Sequence, residues 1–313
     1  MSTSDSTRTR ARITLNVPRS PRPSRHAGAG VDPGTALGTT PANVPGWSSS
    51  YSPTGLQGRP WVARLRRALE LERFELHFQP IVSLRDGSVS HYEALLRLAD
   101  GPAGELTSPA LFLPAAERYG LIREIDRMVL GRVARLLGRD RTMGEATIAM
   151  NVSALSVTDP GMLGCIAETL RLHEVEPTRL AIEITETAAI SDMARARLFC
   201  AGVLDLGCAL ALDDFGAGFG SFQYLKHLPF SHLKIDGDFI RELPSSRTDQ
   251  LVVRALARIV RGMGRETIAE FVGDEATVAM LRNFDVDYAQ GYQVGAPAPL
   301  GAAPDGRRAR RVA

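Results

Sequence analysis

Apolar side chains follow a helical period where the patterned part of the chain begins and a strand period directly after it. The first run predicts a helix with four large apolar side chains close to one face: Trp61, Leu65, Leu69 and Leu71. Residues 74–84 then alternate between apolar and polar positions, and the alternation resumes over 89–98 after a turn at Asp86 and Gly87. Two alternating runs joined by a short glycine-containing turn predict an antiparallel β-hairpin.

Six further apolar runs alternate with helical stretches after this hairpin. Helices are predicted over 109–119, where Ser108 is a candidate N-cap, and over 121–137. The six runs have the character of strands and are, in order, ATIAMNVS, LAIEITET, ALALDDFG, HLKID, ETIAEFV and VDYAQGY. The helices between them are predicted over 160–173, 191–206, 221–228, 249–261 and 274–284.

This alternation decides the fold class. Nearly continuous apolar strands separated by helices predict a parallel sheet covered by helices, in the α/β class. Over about 240 residues, a closed (β/α)8 TIM-type barrel is the economical arrangement of so many units. An open doubly wound sheet is the alternative fold, and the lack of a glycine-rich fingerprint after the first strand weighs against it.

Polar side chains collect at or near the carboxyl ends of the predicted strands. The clearest case is ALALDDFGAGFGS, in which an apolar run ends in two adjacent carboxylates and a glycine-rich loop. The full set is Glu93, Asn151, Glu183, Glu186, Asp213, Asp214, Lys234, Glu270 and Gln290. In a barrel these strand ends converge on one face, where active sites lie. Buried carboxylates are costly unless they are paired or bind metal, and oxygen donors favour Mg²⁺ or Mn²⁺, so the pattern predicts a site for a hard cation.

Some of these residues also have a simpler interpretation. Glu93 can be a solvated edge residue, Asn151 a helix cap, and Lys234 an ion-pair partner of Asp213 or Asp236. The joint occurrence of so many polar groups on successive strand ends favours the metal site over these separate explanations.

Composition and charge narrow the class of protein. The chain has 313 residues, of which 44% are hydrophobic, and its formal net charge of +2 gives no general drive toward nucleic acid or acidic membranes. The three cysteines are odd in number and widely spaced, which predicts reduced core thiols in a cytoplasmic protein. No apolar run approaches the length of a membrane span, and the N-terminus lacks the apolar core of a secretory signal.

The two ends of the chain differ from its middle. Residues 1–58 are rich in Ser, Thr, Pro, Gly and Arg and poor in large apolar side chains, which predicts a disordered tail. Residues 301–313 are predicted to form a basic tail of the same kind, and residues 59–300 the barrel domain.

A set of short motifs occurs in a fixed order along the alternating strands: FQP, EALLR, MNVS, EITET, DDFGAGFGS, LKID, AE and QGY. This order resembles the EAL domain, the cyclic-di-GMP phosphodiesterase module of bacterial signalling, from about Leu71 to about Pro299. The resemblance implies a modified barrel with an antiparallel first strand, in agreement with the predicted hairpin. It also implies hydrolysis of one phosphodiester bond of cyclic-di-GMP to the linear dinucleotide pGpG, and a homodimer.

The resemblance further implies a role for each matched residue. One Mg²⁺ or Mn²⁺ ion would be bound by Glu93, Asn151, Glu183 and Asp213, and a second ion by Asp214. Lys234 would position the attacking water, and Glu270 would be the general base or an outer metal contact. Clustered carboxylates of this kind would have raised pKa values in the absence of metal.

The remaining implied roles concern the substrate. Gln79, Leu95 and Arg97 would contact it, with the Arg97 guanidinium on phosphate oxygens. Gln290 would border the substrate and orient metal-bound water. Glu186 would hold the glycine-rich loop in place.

Departures from the family pattern bear on activity. Gly273 stands where a second glutamate is expected, with Asp274 as a candidate replacement, and residues 217–220 differ from the usual glycine-rich loop. Ala296 stands where a basic residue is frequent. These changes leave two alternatives to an active enzyme open: a catalytically weak domain that binds cyclic-di-GMP as a receptor, and an interaction scaffold that has lost nucleotide binding.

Overall fold

The computed structural model describes residues 58–101, 105–139, 146–185, 188, 192–216 and 225–300. All of them belong to one of the two units into which the chain divides, Pro53–Ala313. The predicted tail at 301–313, the predicted start of a helix at 221–224, Glu186 and all but one residue of the predicted tail at 1–58 lie outside the described residues. The exception is Gly58, which begins the first helix, so the predicted tail is one residue too long.

Eight strands of the described residues close a barrel, and two short ones extend its sheet. In chain order the strands are β1 (Phe74–Ser83), β2 (Val89–Ala99), β3 (Leu106–Thr107), β4 (Thr147–Asn151), β5 (Leu180–Thr185), β6 (Ala209–Phe215), β7 (His232–Ile235), β8 (Glu266–Ala269), β9 (Tyr288–Gln290) and β10 (Ala298–Pro299). The ring runs β1-β2-β4-β5-β6-β7-β8-β9, and β1 is antiparallel to both β2 and β9. The remaining neighbours in the ring are parallel. The predicted barrel with an antiparallel first strand is confirmed.

Helices connect and cover the strands. They are α1 (Gly58–Glu70), α2 (Pro109–Arg118), α3 (Ile122–Arg139), α4 (Ala154–Val157), α5 (Met162–Leu172), α6 (Met193–Asp205), α7 (Arg247–Gly262) and α8 (Glu275–Asn283). In α7 the buried side chains recur at helical spacing and form one apolar stripe: Val253, Leu256, Ala257 and Val260. Among the described residues, no helix has the length and apolar character that a membrane crossing requires.

The β1–β2 hairpin forms where the sequence predicts it, and its turn has a clear chemical basis. Gly87 has a φ of 74°, in the left-handed region that glycine adopts without strain. The Asp86 carboxylate accepts a hydrogen bond from the Ser88 backbone N–H at 3.0 Å and fixes the turn. The hairpin pairs Phe74 with Leu98 at its open end, so the first two strands of the barrel are set by local sequence.

One local prediction is wrong and another is confirmed in position only. Leu71 is predicted on the same helix face as Trp61 and Leu65, but α1 ends at Glu70 and Leu71 is 51% exposed. Ser108 occupies the N-cap position of α2, as predicted, but its side chain makes no capping hydrogen bond. Its backbone carbonyl accepts the Leu111 N–H at 3.1 Å, so that N–H is already satisfied.

The barrel interior contains an aromatic layer toward the strand starts. The rings of His91 and His232 lie 5.2 Å apart, as do those of His91 and Tyr288. Side chains two residues further along a strand point to the same side. A polar layer therefore follows on the same three strands, and its first members are Glu93, Lys234 and Gln290.

The three cysteines are free, in agreement with the predicted reduced thiols. Cys200 and Cys208 are buried, and Cys165 is partly exposed. Burial raises the pKa of Cys200 to about 12 and that of Cys208 to about 11, so both thiols stay protonated near neutral pH.

Candidate active site

Lys234 lies at the centre of the polar layer and is fully buried. Its Nζ lies 2.8 Å from Glu183 Oε2, 3.0 Å from Glu270 Oε1 and 3.1 Å from Asp213 Oδ1. Glu93 Oε2 is a fourth neighbour at 3.4 Å. Side chains from β2, β5, β6, β7 and the residue that follows β8 therefore meet around one ammonium group, as the convergence of strand ends predicts.

Side-chain amides orient the Glu93 carboxylate. Gln290 Nε2 donates to Glu93 Oε2 at 2.6 Å, and Asn151 Nδ2 donates to Glu93 Oε1 at 2.7 Å. Gln290 Nε2 also lies 3.2 Å from Gln79 Oε1, and Gln79 Nε2 donates to the Gly295 carbonyl at 3.1 Å. Gln79 and Glu93 are directly paired residues of the β1–β2 hairpin, so the register of the hairpin brings them to one face.

The contacts of Glu93, Asn151 and Lys234 do not agree with the simpler roles of edge residue, helix cap and single ion-pair partner. Glu93 is only 5% exposed and is not a solvated edge residue. Asn151 donates to Glu93, whereas the N-cap of α4 is Ser153. Lys234 does pair with Asp213, but three further carboxylates share its ammonium group.

The backbone turns near the end of β6, where its pairing with β7 is irregular. Asp214 has a φ of 55°, in a left-handed conformation that aspartate tolerates. One carboxylate oxygen from each of Asp213, Asp214 and Glu270 lies within 4.8 Å of the other two. Gly216 follows at a φ of 109°, and a Cβ there would lie 2.2 Å from the Phe239 ring. The turn thus lets two adjacent aspartates serve one site and requires glycine directly after it.

Burial raises the pKa of most carboxylates in this cluster, as predicted. The pKa of Glu183 lies well above its ordinary value because burial outweighs the attraction of Lys234. Burial also raises the pKa of Glu270 to about 8 and that of Asp214 to about 6, and the neighbouring Asp213 adds to both shifts. Without a metal ion, the site therefore retains protons that it would release when a cation binds.

Glu93 is the exception to that prediction. Burial alone would raise its pKa, but the Lys234 charge and the hydrogen bonds from Gln290 and Asn151 together lower it. Lys234 itself is buried, which disfavours its charge, yet the surrounding carboxylates hold its pKa well above the ordinary value. These interactions therefore favour the charged forms of both the Lys234 ammonium and the Glu93 carboxylate.

The donor set fits a hard divalent cation. Glu270 Oε2 and Gln290 Oε1 are buried and have no hydrogen-bond partner among the described residues. Carboxylate and amide oxygens of this kind are the ligands that Mg²⁺ and Mn²⁺ prefer. The three carboxylates implied as ligands of the first ion surround Lys234, whereas the group whose oxygens lie close enough to hold an ion directly is Asp213, Asp214 and Glu270.

A cavity of about 530 Å³ borders the cluster. All four residues predicted to contact substrate line it: Gln79, Leu95, Arg97 and Gln290. Phe271 and Tyr292 line the cavity as well and are absent from the sequence prediction. Each lies within two residues of a predicted site residue and is a large exposed aromatic, at 54% and 80% respectively. That adjacency was the available sequence signal, although sequence alone does not show exposure.

Comparison with known proteins finds the EAL domain family, which is the family that the sequence motifs resemble. Residues 62–297 match the family model of the EAL domain. The cyclic di-GMP phosphodiesterase PdeB of Shewanella oneidensis is 36% identical over 242 residues, which cover 77% of this chain and 28% of that protein. The bifunctional diguanylate cyclase/cyclic di-GMP phosphodiesterase MucR of Pseudomonas aeruginosa is 36% identical over 75% of this chain and 34% of its own length. The chain thus spans about a third of the length of these curated relatives.

Solved structures share the barrel. The PaMucR phosphodiesterase in complex with c-di-GMP has a TM-score of 0.72 at 35% identity and covers 77% of this chain and 98% of that chain. The FimX EAL domain from Pseudomonas aeruginosa bound to c-di-GMP has a TM-score of 0.71 at 33% identity, over 76% of this chain and 96% of that chain. The family model matches residues 62–297, and the barrel and the sequence order of the strand-end residues agree with that match. This chain therefore belongs to the EAL domain family.

Proposed function

We propose that this chain hydrolyses one phosphodiester bond of cyclic-di-GMP and releases linear pGpG, with Mg²⁺ or Mn²⁺ as cofactor, in bacterial second-messenger signalling. The observation that carries the proposal is the group of carboxylates around Lys234, beside a cavity lined by Gln79 and Arg97. The names of the relatives PdeB and MucR support it. Acidic side chains alone would repel a phosphodiester, so cations are needed to make this site attractive to the substrate.

The cavity residues bind and orient the nucleotide. The planar guanidinium of Arg97 suits two phosphate oxygens at once. Gln79 and Gln290 offer amide groups, and Leu95 offers an apolar contact. Because the hydrogen bond to the Gly295 carbonyl fixes the Gln79 amide, that side chain is ordered before substrate arrives.

The carboxylates and Lys234 serve the reacting centre. Glu93, Asn151, Glu183 and Asp213 would hold one cation and Asp214 a second. When bound, the cations would neutralise phosphate charge, lower the pKa of water and stabilise the leaving oxygen. Lys234 holds the carboxylates together through its ion pairs and positions the attacking water.

Glu270 takes the proton from that water. Its Oε1 lies 3.0 Å from the Lys234 ammonium, which leaves Oε2 to accept the proton. Burial raises the pKa of Glu270 to about 8 in the metal-free site, and loss of that proton when cations bind would leave the carboxylate free to act as the base.

We also propose that the chain acts as a homodimer in the cytoplasm, with the free nucleotide and not nucleic acid as its partner. Buried free thiols fit a reducing compartment, and a net charge of +2 gives no general attraction to nucleic acid. The homodimer rests on the family resemblance. Light scattering on purified protein measures it directly.

Incubation with cyclic-di-GMP and Mn²⁺, followed by chromatography of the nucleotides, tests the activity. We expect linear pGpG with Mn²⁺ and none with a chelator. Glu93→Ala should lower turnover by at least about a hundredfold. Its melting temperature should stay near that of the unaltered protein, because Lys234 keeps three other carboxylate partners. Glu75→Ala, on the same hairpin with a side chain 52% exposed, is the matched control and should retain full activity.

One observation favours the receptor alternative. Gly273 lines the cavity at the position where the resemblance leads us to expect a glutamate, so one carboxylate is missing from this site. A receptor would bind cyclic-di-GMP in the presence of Ca²⁺ and would release no pGpG with Mn²⁺ or Mg²⁺. Both results together would contradict the proposed hydrolysis and support a receptor function.

A further inference from the structure

The outer face of α7 carries two rows of exposed side chains, and neither row belongs to the candidate active site. The apolar row repeats every fourth residue and ends at the C-cap of the helix: Leu251, Ala255, Ile259 and Met263. The basic row recurs at spacings of seven, four and three residues: Arg247, Arg254, Arg258 and Arg261. Residues three, four and seven positions apart lie on one side of a helix, so each set forms a continuous row.

The large side chains of the apolar row are open to solvent. Leu251 is 54% exposed, Met263 43% and Ile259 40%. The helix is already anchored to the barrel by its buried stripe, so folding does not require this second apolar row. Single exposed apolar residues are ordinary on protein surfaces, whereas several of them in one contiguous patch mark a surface that contacts another body.

Neighbouring carboxylates neutralise only one arginine of the basic row. Arg261 lies 3.3 Å from Asp285 Oδ1 and 3.4 Å from Asp287 Oδ1. The other three arginines of the row form no ion pair within the described part of the chain. The guanidinium carbon of Arg254 lies 4.5 Å from the centroid of the Phe284 ring, which orients that group without removing its charge. The overall net charge of +2 therefore conceals a local concentration of positive charge.

We infer that this face of α7 docks on a lipid bilayer that contains anionic phospholipids. Guanidinium groups bind the phosphate oxygens of lipid headgroups, and an adjoining apolar row can enter the boundary between headgroups and acyl chains. The basic row alone would suit any polyanion, but the exposed apolar row gains nothing from the phosphates of nucleic acid. A second copy of this chain fits less well, because a symmetric contact places the same basic row on both sides of the interface.

Docking through α7 leaves the active-site cavity open. The helix connects the parallel strands β7 and β8 and therefore lies on the outside of the barrel, where such crossover helices pack. None of the described residues that line the cavity of about 530 Å³ belongs to α7. Binding to a bilayer is thus independent of the proposed hydrolysis, and each can fail without the other.

Cosedimentation of the full chain with lipid vesicles tests the inference. Vesicles of phosphatidylcholine alone are compared with vesicles that also contain the anionic lipid phosphatidylglycerol, at low and at high salt. We expect binding to the anionic vesicles only, and loss of that binding at high salt, because ions screen the attraction between arginine and phosphate.

Reversal of charge in the basic row separates a specific surface from general attraction. Arg247→Glu combined with Arg258→Glu should weaken binding to anionic vesicles at least about tenfold. Arg135→Glu combined with Arg197→Glu, at exposed positions of α3 and α6, changes the net charge equally and is the matched control. Comparison of the two removes the contribution of the basic residues at both ends of the chain. The control should retain most of the affinity.

Loss of the apolar row should weaken binding as well. Ile259→Ser combined with Met263→Ser should lower the affinity for anionic vesicles about tenfold. Leu172→Ser combined with Leu198→Ser, at positions 66% and 71% exposed, is the matched control and should leave it nearly unchanged. Melting temperatures should stay near that of the unaltered protein in all four variants, because every substituted side chain is exposed.

Three outcomes would overturn the inference. The first is equal weakening by the reversals in the basic row and by their control. The second is unchanged vesicle binding after loss of the apolar row, and a dimer that dissociates in that variant would assign the face to a second copy instead. The third is binding of duplex DNA that depends on the basic row, without binding of vesicles, which would assign the row to nucleic acid.

Discussion

At the scale of single residues, the charge balance around Lys234 decides how the site behaves. One buried ammonium faces Glu93, Glu183, Asp213 and Glu270, and Asp214 lies beside the last two. The strand-end pattern predicts which residues meet here. It does not predict that the lysine holds four of them, because that depends on side-chain rotamers that no sequence period encodes. The excess of carboxylates makes the cluster responsive to added cations.

Replacement of Lys234 tests whether the carboxylate cluster needs a positive charge, and the test does not depend on an assay of turnover. Lys234→Met removes the only cation among the described residues of the cluster and should lower the free energy of unfolding by about 3–5 kcal/mol in a chelator. Added Mn²⁺ should raise the melting temperature of this variant more than that of the unaltered protein. Differential scanning fluorimetry measures both, and Lys226→Met, at an exposed position, is the matched control. An equal response of both proteins to Mn²⁺ would contradict a cation site in this cluster.

His91 links the stability of the barrel to pH. Burial and the neighbouring His232 lower the pKa of His91 to about 4, and its Nδ1 is buried without a hydrogen-bond partner among the described residues. The unfolded chain binds the proton at the ordinary value of 6.5, so the folded state binds fewer protons in this window. The contribution of neutral His91 to the free energy of unfolding is therefore fully present above about pH 6.5, and it is lost progressively as the pH falls toward about 4.

His91→Phe should remove that acid sensitivity. We expect the difference in unfolding free energy between pH 7 and pH 4 to shrink by about 3 kcal/mol. Urea titrations at several pH values measure it. His227→Phe, at an exposed position, should leave the difference unchanged. An unchanged pH dependence in His91→Phe would show that another group controls acid unfolding.

At the scale of elements, hairpin and strand positions follow the sequence closely, whereas the shortest elements do not. β1 and β2 occupy nearly the predicted residues because alternation and the Gly87 turn are local signals. β3 and β10 have two residues each, too few for any period, and exist because they pair with β2 and β1. Predicted β8 is too long, because the chain leaves the sheet after Ala269 and delivers Glu270 to the site.

Asp274 shows how an element boundary can be mistaken for a functional position. The resemblance suggests it as a replacement for the glutamate missing at Gly273, but its carboxylate accepts the Thr277 N–H at 2.7 Å and caps α8. Asp274→Ala should lower the unfolding free energy by about 1 kcal/mol, and Asp274→Ser should recover most of the loss. Turnover should stay normal in both. A large loss of turnover in a folded Asp274→Ala protein would return this residue to the active site.

At the scale of the whole molecule, closure of the ring is what brings the site together. β1 pairs with β2 and β9, so Gln79 from the first strand and Gln290 from the last lie side by side at Glu93. The sequence predicts the closed barrel from the number of units and the hairpin. The sequence does not predict the hydrogen bond between Gln79 and Gln290, because the two residues are 211 positions apart and meet only where β1 pairs with β9.

The fold also predicts how far the chain can be shortened from its start. α1 belongs to the barrel: Leu65 and Ala68 are buried, the Trp61 ring lies 6.5 Å from that of Phe112, and Arg64 pairs with Asp100. Removal of residues 1–52, which precede α1 and belong to the predicted tail, should therefore leave the melting temperature and turnover of the remaining chain unchanged. Removal of residues 1–73 takes away α1 and uncovers its apolar partners on α2, so this shorter protein should unfold at a lower temperature or fail to fold. Circular dichroism melts and pGpG formation distinguish the two proteins. An inactive but folded protein lacking only residues 1–52 would show that the N-terminal segment takes part in catalysis.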